Sequence, residues 1–228
     1  MNMEITVNQL EKREGNIRAF ASVVFEESFK VSNIAGIENK NGQCFVSMPR
    51  YASRKDDSGY KDICHPITKE FREQLYDGIL KAYEQVQQEK DNRLQLKIYE
   101  ADKDKKRELK FQVKATPFER DGSNLKGLAR IYLEDCFVIN NVSLLQGKNG
   151  LFVAMPSYKT KQTDEQGKSI YQDICFPLTK EFREQLYGAV RKSFEESKEK
   201  QKSGDEKGQT KPSAGCDGWH EARDTPFR

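Results

Sequence analysis

Ile17, Ala19, Ala21, Val23 and Phe25 stand at every second position with Arg18 and Ser22 among the residues between them, the two-residue period of a strand that buries one face. Glu26-Glu27-Ser28 breaks the run before Phe29 and Val31, which predicts an antiparallel hairpin. Asn41-Gly42 is a turn signal leading into a further strand, Phe45-Val46-Ser47-Met48-Pro49. After Pro66 the period changes. Phe71, Leu75, Ile79, Ala82, Tyr83 and Val86 are spaced by three or four, the apolar stripe of a helix packed on a sheet. Thr68 is placed to cap that helix, and Glu70 sits in the first turn, where the helix dipole favours an anion.

The same order of signals then returns. Asp62 to Tyr76 reappears as Asp173 to Tyr187, and of fifteen positions only His65/Phe176 and Ile67/Leu178 differ. Asn41-Gly42 with Phe45 to Pro49 matches Asn149-Gly150 with Phe152 to Pro156, and Asn16 to Phe29 aligns with Asn124 to Phe137. Thr179 and the stripe Phe182, Leu186, Val190 and Phe194 give the second copy its own capped helix. The offset between copies is 108 up to Asn41/Asn149, 107 at Pro49/Pro156 and 111 from Tyr60/Tyr171. Insertions collect in surface loops, so Arg50–Ser58 and Ser157–Ser169 read as loops.

These signals predict an α+β chain of two tandem repeats. Each is a small antiparallel sheet followed by a C-terminal helix, at 1–88 and 111–197. Between them 89–110 is a charged linker around Lys103-Asp104-Lys105-Lys106-Arg107, with room for a short strand at Leu94–Tyr99. From 198 to 228 the composition turns to Lys, Glu, Gln, Ser and Gly, which cannot bury enough apolar surface to order itself, and a disordered tail is expected. Its end holds the one tryptophan, Trp219, and repeats the Thr-Pro-Phe of Thr116-Pro117-Phe118 at Thr225-Pro226-Phe227, which reads first as chance, with a remnant of a third repeat or a docking peptide for a protein partner as the alternatives.

Composition narrows the function. The 228 residues are 36% hydrophobic and 33% charged, and no stretch nears the ~20 apolar residues of a spanning helix. The N-terminal Met-Asn-Met-Glu-Ile-Thr-Val lacks the basic region and apolar run of a signal peptide, so a cytoplasmic chain with reduced thiols is expected. Two histidines and five scattered cysteines offer no catalytic pair and no metal set; Cys64 and Cys175 read as buried core thiols, and Cys216 with His220 is half a zinc site. No phosphate loop or nucleophile elbow occurs, so neither an enzyme nor a cofactor is expected. The net charge of +3 is mild and no block of the chain is strongly basic, the largest excess being ten cations against seven acids over 91–126, so any nucleic-acid contact must come from local patches.

Asn-Gly-Leu-Phe-Val-Ala-Met-Pro-Ser at 149–157, followed by a polar loop and Asp173-Ile174-Cys175-Phe176-Pro177-Leu178-Thr179, resembles the SpoVG family (stage V sporulation protein G). The family's hallmark is Phe-Val-Ala-Met-Pro-Ser-Lys-Arg-Thr, then Arg-Asp-Ile-Ala-His-Pro and a C-terminal helix, and both copies match it over about 80 residues each. Tyr51-Ala52 and Tyr158-Lys159 stand where the family has Lys-Arg, and Phe176 replaces the histidine that His65 keeps. The resemblance implies a DNA- and RNA-binding regulator linked to septation and sporulation, usually one such domain forming a homodimer. Here the two copies are then expected to pack as a pseudo-dimer within one chain.

The candidate nucleic-acid site is the pair of segments after the prolines. Arg50, Tyr51, Arg54 and Lys55 in the first copy and Tyr158, Lys159 and Lys161 in the second combine cations for phosphates with rings for unpaired bases. Asp56-Asp57 and Asp164-Glu165 partly cancel that field. Arg72 and Arg183, early in the helices, are candidate helpers unless they pair with a neighbouring glutamate. The alternative function is a protein-interaction module using a sheet edge or the tail.

Overall fold

A computed structural model describes residues 1–10, 15–52, 59–89, 93–98, 107–118 and 122–204, with side chains to 201. The first repeat is built from β1 (Met3–Gln9), β2 (Ile17–Phe25), β3 (Phe29–Glu38), β4 (Cys44–Ser47), β5 (Arg50–Ala52), β6 (Tyr60–Asp62), β7 (Cys64–Pro66) and α1 (Lys69–Glu89). β8 (Arg93–Ile98) lies in the linker, where the sequence left room for a strand. The second repeat follows the same order with β9 (Phe111–Pro117), β10 (Leu125–Leu133), β11 (Phe137–Gly147), β12 (Gly150–Ala154), β13 (Ser157–Thr163), β14 (Ser169–Asp173), β15 (Cys175–Pro177) and α2 (Lys180–Gly204). α2 thus runs past 197, and the tail from 205 onward, including Cys216, Trp219 and His220, lies outside the described residues.

The predicted hairpins and helices form for the reasons their residues suggest. Thr68 Oγ1 accepts the Phe71 N–H at 3.3 Å and Thr179 Oγ1 the Phe182 N–H at 3.2 Å, the N-cap bond that satisfies an otherwise orphaned donor. Every residue of both apolar stripes is buried. The β2–β3 and β10–β11 turns use left-handed backbone at two successive residues, Glu26-Glu27 and Glu134-Asp135, matching the twist of the paired strands. The carboxylate of Glu26, 6% exposed, accepts the Asn2 N–H at 2.7 Å, and Glu134 accepts the Lys110 N–H at 2.9 Å, so each turn ties down the entry to its first strand.

Two large antiparallel sheets result. One has the order β15-β3-β2-β1-β8 with β4 also on β3, and the other β12-β11-β10-β9 with β7 also on β11. β7 and β15 are exchanged: the first repeat's β7 pairs with β11 of the second, and the second repeat's β15 pairs with β3 of the first. Flanking bonds continue the exchange, from Ile67 N to Cys136 O and from Leu178 N to Ser28 O, each 2.8 Å. Each helix packs on its own repeat's sheet, and one hydrophobic core runs through both repeats. At its centre Phe25 meets Phe137 of the other repeat at 5.1 Å between ring centroids and Phe71 at 6.0 Å. Cys64 and Cys175 are fully buried, unbridged thiols on the two exchanged strands. Burial, then a hydrogen bond to Cys64, hold the Cys175 thiol well above its ordinary range.

The two repeats protect the same sheet edge differently. In the first, β8 pairs with the outer edge of β1. In the second, Ser193 Oγ accepts the Ala115 N–H at 3.0 Å, and Ser197 Oγ donates to Ala115 O at 2.7 Å, so α2 itself satisfies the edge of β9. Ala82 and Val86 stand at the matching places of α1, buried in the core.

Candidate nucleic-acid interface

The segments after Pro49 and Pro156, read from sequence as loops, contain paired strands. β5 and β6 form one two-stranded arm, with Arg50 opposite Asp62, Tyr51 opposite Lys61 and Ala52 opposite Tyr60. β13 and β14 form the other, with Tyr158 opposite Gln172 and Lys159 opposite Tyr171. Their polar, unstriped composition hid this, because an arm exposed on both faces has no apolar period to read. Asp164 shapes the second arm's tip, its Oδ1 accepting the N–H groups of Gln166 at 2.9 Å and Lys168 at 2.7 Å.

Each arm is rooted beside the strand exchange. The Ile63 N–H donates to Pro49 O and the Ile174 N–H to Pro156 O, both 2.8 Å, closing the two bases identically. The next residues are β7 and β15, which cross to the opposite sheet. Asn140 Nδ2 of the second repeat also donates to Asp62 O at 3.2 Å in the first arm. The bases of the two arms are therefore joined through the inter-repeat pairing.

On the arms, Arg50 lies over the Tyr60 ring with its guanidinium carbon 4.5 Å from the centroid. Tyr51 is half-buried, and the Tyr158 hydroxyl donates to Gln172 Oε1 at 2.7 Å. Lys159 and Lys161 are exposed on β13. Arg54 and Lys55 lie outside the described residues. Arg72 and Arg183 turn to the backbone: their Nη2 atoms donate to Pro66 O at 3.2 Å and Pro177 O at 3.3 Å, fastening each helix to its exchanged strand. Lys69–Glu73 and Lys180–Glu184 form matched i,i+4 ion pairs on the two helices.

Sequence reading passed over Tyr60 and Tyr171. They occupy matched positions of the two arms and are 57% and 55% exposed. The signal was in the repeat itself, since an aromatic ring recurs at that place in a polar segment. The ionisable groups at the roots are shifted by their surroundings. Burial holds the His65 imidazole below its ordinary value, against the pull of Asp62, with Arg72 lowering it further. Partial burial raises the Asp173 carboxyl, which Arg183 counteracts. Among the described residues no helix is long and apolar enough to cross a membrane.

The exchange of strands between two like sheet-and-helix units, each carrying a cationic and aromatic arm, defines a duplicated α+β protein. A family model described as SpoVG matches residues 1–85 and 110–196, and the chain belongs to that family. It is similar to proteins named "Putative septation protein SpoVG" from Clostridium perfringens strain 13, 46% identical over 87 residues, and Archaeoglobus fulgidus, 37% identical over 84. A third, from Thermoanaerobacter sp. strain X514, is 42% identical over 90 residues. The aligned stretches cover 37%, 36% and 38% of this chain but 92%, 95% and 94% of the relatives. Each of these relatives is thus about the length of one repeat.

Proposed function

We propose that this chain is a nucleic-acid-binding regulator of the septation class, in which the β5–β6 and β13–β14 arms bind one nucleic acid together. The observation that carries the reading is the common rooting of both arms at the exchanged strands. Each arm alone offers two or three cations, too few for tight binding. Holding the second arm at a set place raises its effective concentration once the first has bound. Simultaneous replacement of Arg50, Arg54, Lys55, Lys159 and Lys161 by alanine tests it, read by fluorescence anisotropy on a duplex across a salt series. With roughly four phosphates neutralised, the parent's log–log salt slope is expected near −4, and the variant's to be much shallower. Binding unchanged at every salt concentration would remove the arms from the site.

A protein-interaction module is the second reading, and matched exposed rings favour it: Phe45 on β4 and Phe152 on β12 face solvent at 45% and 46% exposure. Absence of nucleic-acid binding by the parent at low salt would select it.

A further inference from the structure

The two sheets expose solvent faces that occupy equivalent places in the duplicated fold, yet their charges differ. At positions 4, 6, 18, 22, 24, 30 and 38 the first repeat holds two acids and two cations, Glu4, Glu38, Arg18 and Lys30. The acids are engaged: Arg18 Nε meets Glu38 Oε2 at 2.6 Å, and Lys97 Nζ meets Glu4 Oε2 at 3.3 Å. At the seven matched positions of the second repeat, offset by 108, there are three cations and no acid. Gln112 and Gln146 replace the two glutamates, Lys114 and Arg130 replace Thr6 and Ser22, and Tyr132 replaces Val24.

Four of these residues, Gln112, Lys114, Arg130 and Tyr132, lie side by side, whereas Val138 is buried. Lys114 and Arg130 are direct cross-strand neighbours, as are Gln112 and Tyr132, and they alternate with the inward Val113, Ala115, Ala129 and Ile131. Lys114 Nζ lies 5.4 Å from the Tyr132 ring centroid. Asp135, in the β10–β11 turn, is engaged as well, accepting from Gln112 Nε2 at 2.9 Å. Like charges placed directly across two strands cost stability. A lysine that blunts an edge strand would account for Lys114 on β9, but Arg130 is on β10, inside the sheet. What the arrangement suits is a chain of phosphates with an accessible base: the phosphate takes the ammonium, and the base takes over the tyrosine face.

We propose that the solvent face of the β12-β11-β10-β9 sheet, centred on Lys114, Arg130 and Tyr132, binds single-stranded nucleic acid. It rests on the reading of the chain as a nucleic-acid binder and adds a second surface to the arms. The face belongs to the second repeat alone, so the duplicated chain has one strand-binding face where a homodimer of identical copies would have two or none.

The first repeat supplies the test, because its own residues show what this fold accepts. The variant Lys114→Thr, Arg130→Ser and Tyr132→Val carries the first sheet's residues onto the second. With oligothymidine and a duplex of equal length as probes, the expected result is single-strand binding at least about tenfold weaker, from lost stacking. Its salt slope should be shallower by about 1.4, for two cations at ~0.7 each, while duplex binding stays at the parent's level. The reciprocal variant Thr6→Lys, Ser22→Arg and Val24→Tyr should tighten single-strand binding, which keeps the test sound if the first variant unfolds. Single-strand binding by the parent that neither variant alters would overturn the face and leave the arms standing. A parent that binds neither probe would overturn both readings.

Discussion

At the residue scale, a side chain in a turn or at an interface is set by backbone geometry and by what surrounds it. Glu27 is exposed and left-handed at φ 54°, a conformation that costs a non-glycine residue roughly 1–2 kcal/mol. Glu27→Gly should therefore raise stability by about 1 kcal/mol in urea unfolding, whereas Glu26, at φ 45° beside it, is held by Asn2 and should not tolerate the change. His65 gives a pH-dependent case. Burial lowers its folded value below the ordinary 6.5, so the unfolded chain binds the extra proton first as pH falls. Its contribution is then a loss of stability that begins below about pH 6.5 and grows until the folded value is reached. His65→Phe, the residue the second repeat carries at Phe176, should flatten that part of the stability profile relative to the parent. A profile identical in the two proteins would show that the imidazole is not held neutral by the fold. The hairpin at Glu26-Glu27-Ser28 was legible as a polar break in an alternating run. Its left-handed geometry was not, since neither residue is one that favours such a turn.

At the element scale, the stripes and caps of both helices were open to sequence because periodicity and N-cap chemistry are local. The exchange of β7 and β15 was not, for three-residue strands have no period. Their partners are set by packing between repeats. The same holds for the edge of β9: Ser193 and Ser197 lie on a helix face whose counterparts in the first repeat are Ala82 and Val86, and only the fold shows why hydroxyls are needed there. Ser193→Ala should leave the Ala115 N–H without its partner and cost about 1–3 kcal/mol, measured by urea unfolding. The double change Ser193→Ala and Ser197→Ala should also make the protein aggregate more readily on heating, because it uncovers a strand edge. The corresponding edge of β1, covered by β8, predicts no such dependence on α1.

At the scale of the whole molecule, neither repeat is complete alone. The first lacks a strand that the second supplies, and the reverse, and Phe25 is buried against Phe137 across the boundary. The chain should therefore unfold in one transition. Phe25→Ala should cost about 3–5 kcal/mol, as for a large core ring, and lower the melting of both repeats together. Independent units would leave the second repeat's melting where it was, giving two transitions in calorimetry. Separating the repeats asks the same question another way. A fragment spanning 107–204 would expose Phe137 and the β11 backbone that β7 covers, surface that only a like partner can bury with the same register. The expected outcome is self-association through reciprocal β15–β11 pairing, seen as a doubled mass in sedimentation equilibrium, in keeping with relatives that are about one repeat long. A fragment that stayed monomeric and melted at the parent's temperature would show that the exchanged strands contribute little, and that duplication joined two self-sufficient domains.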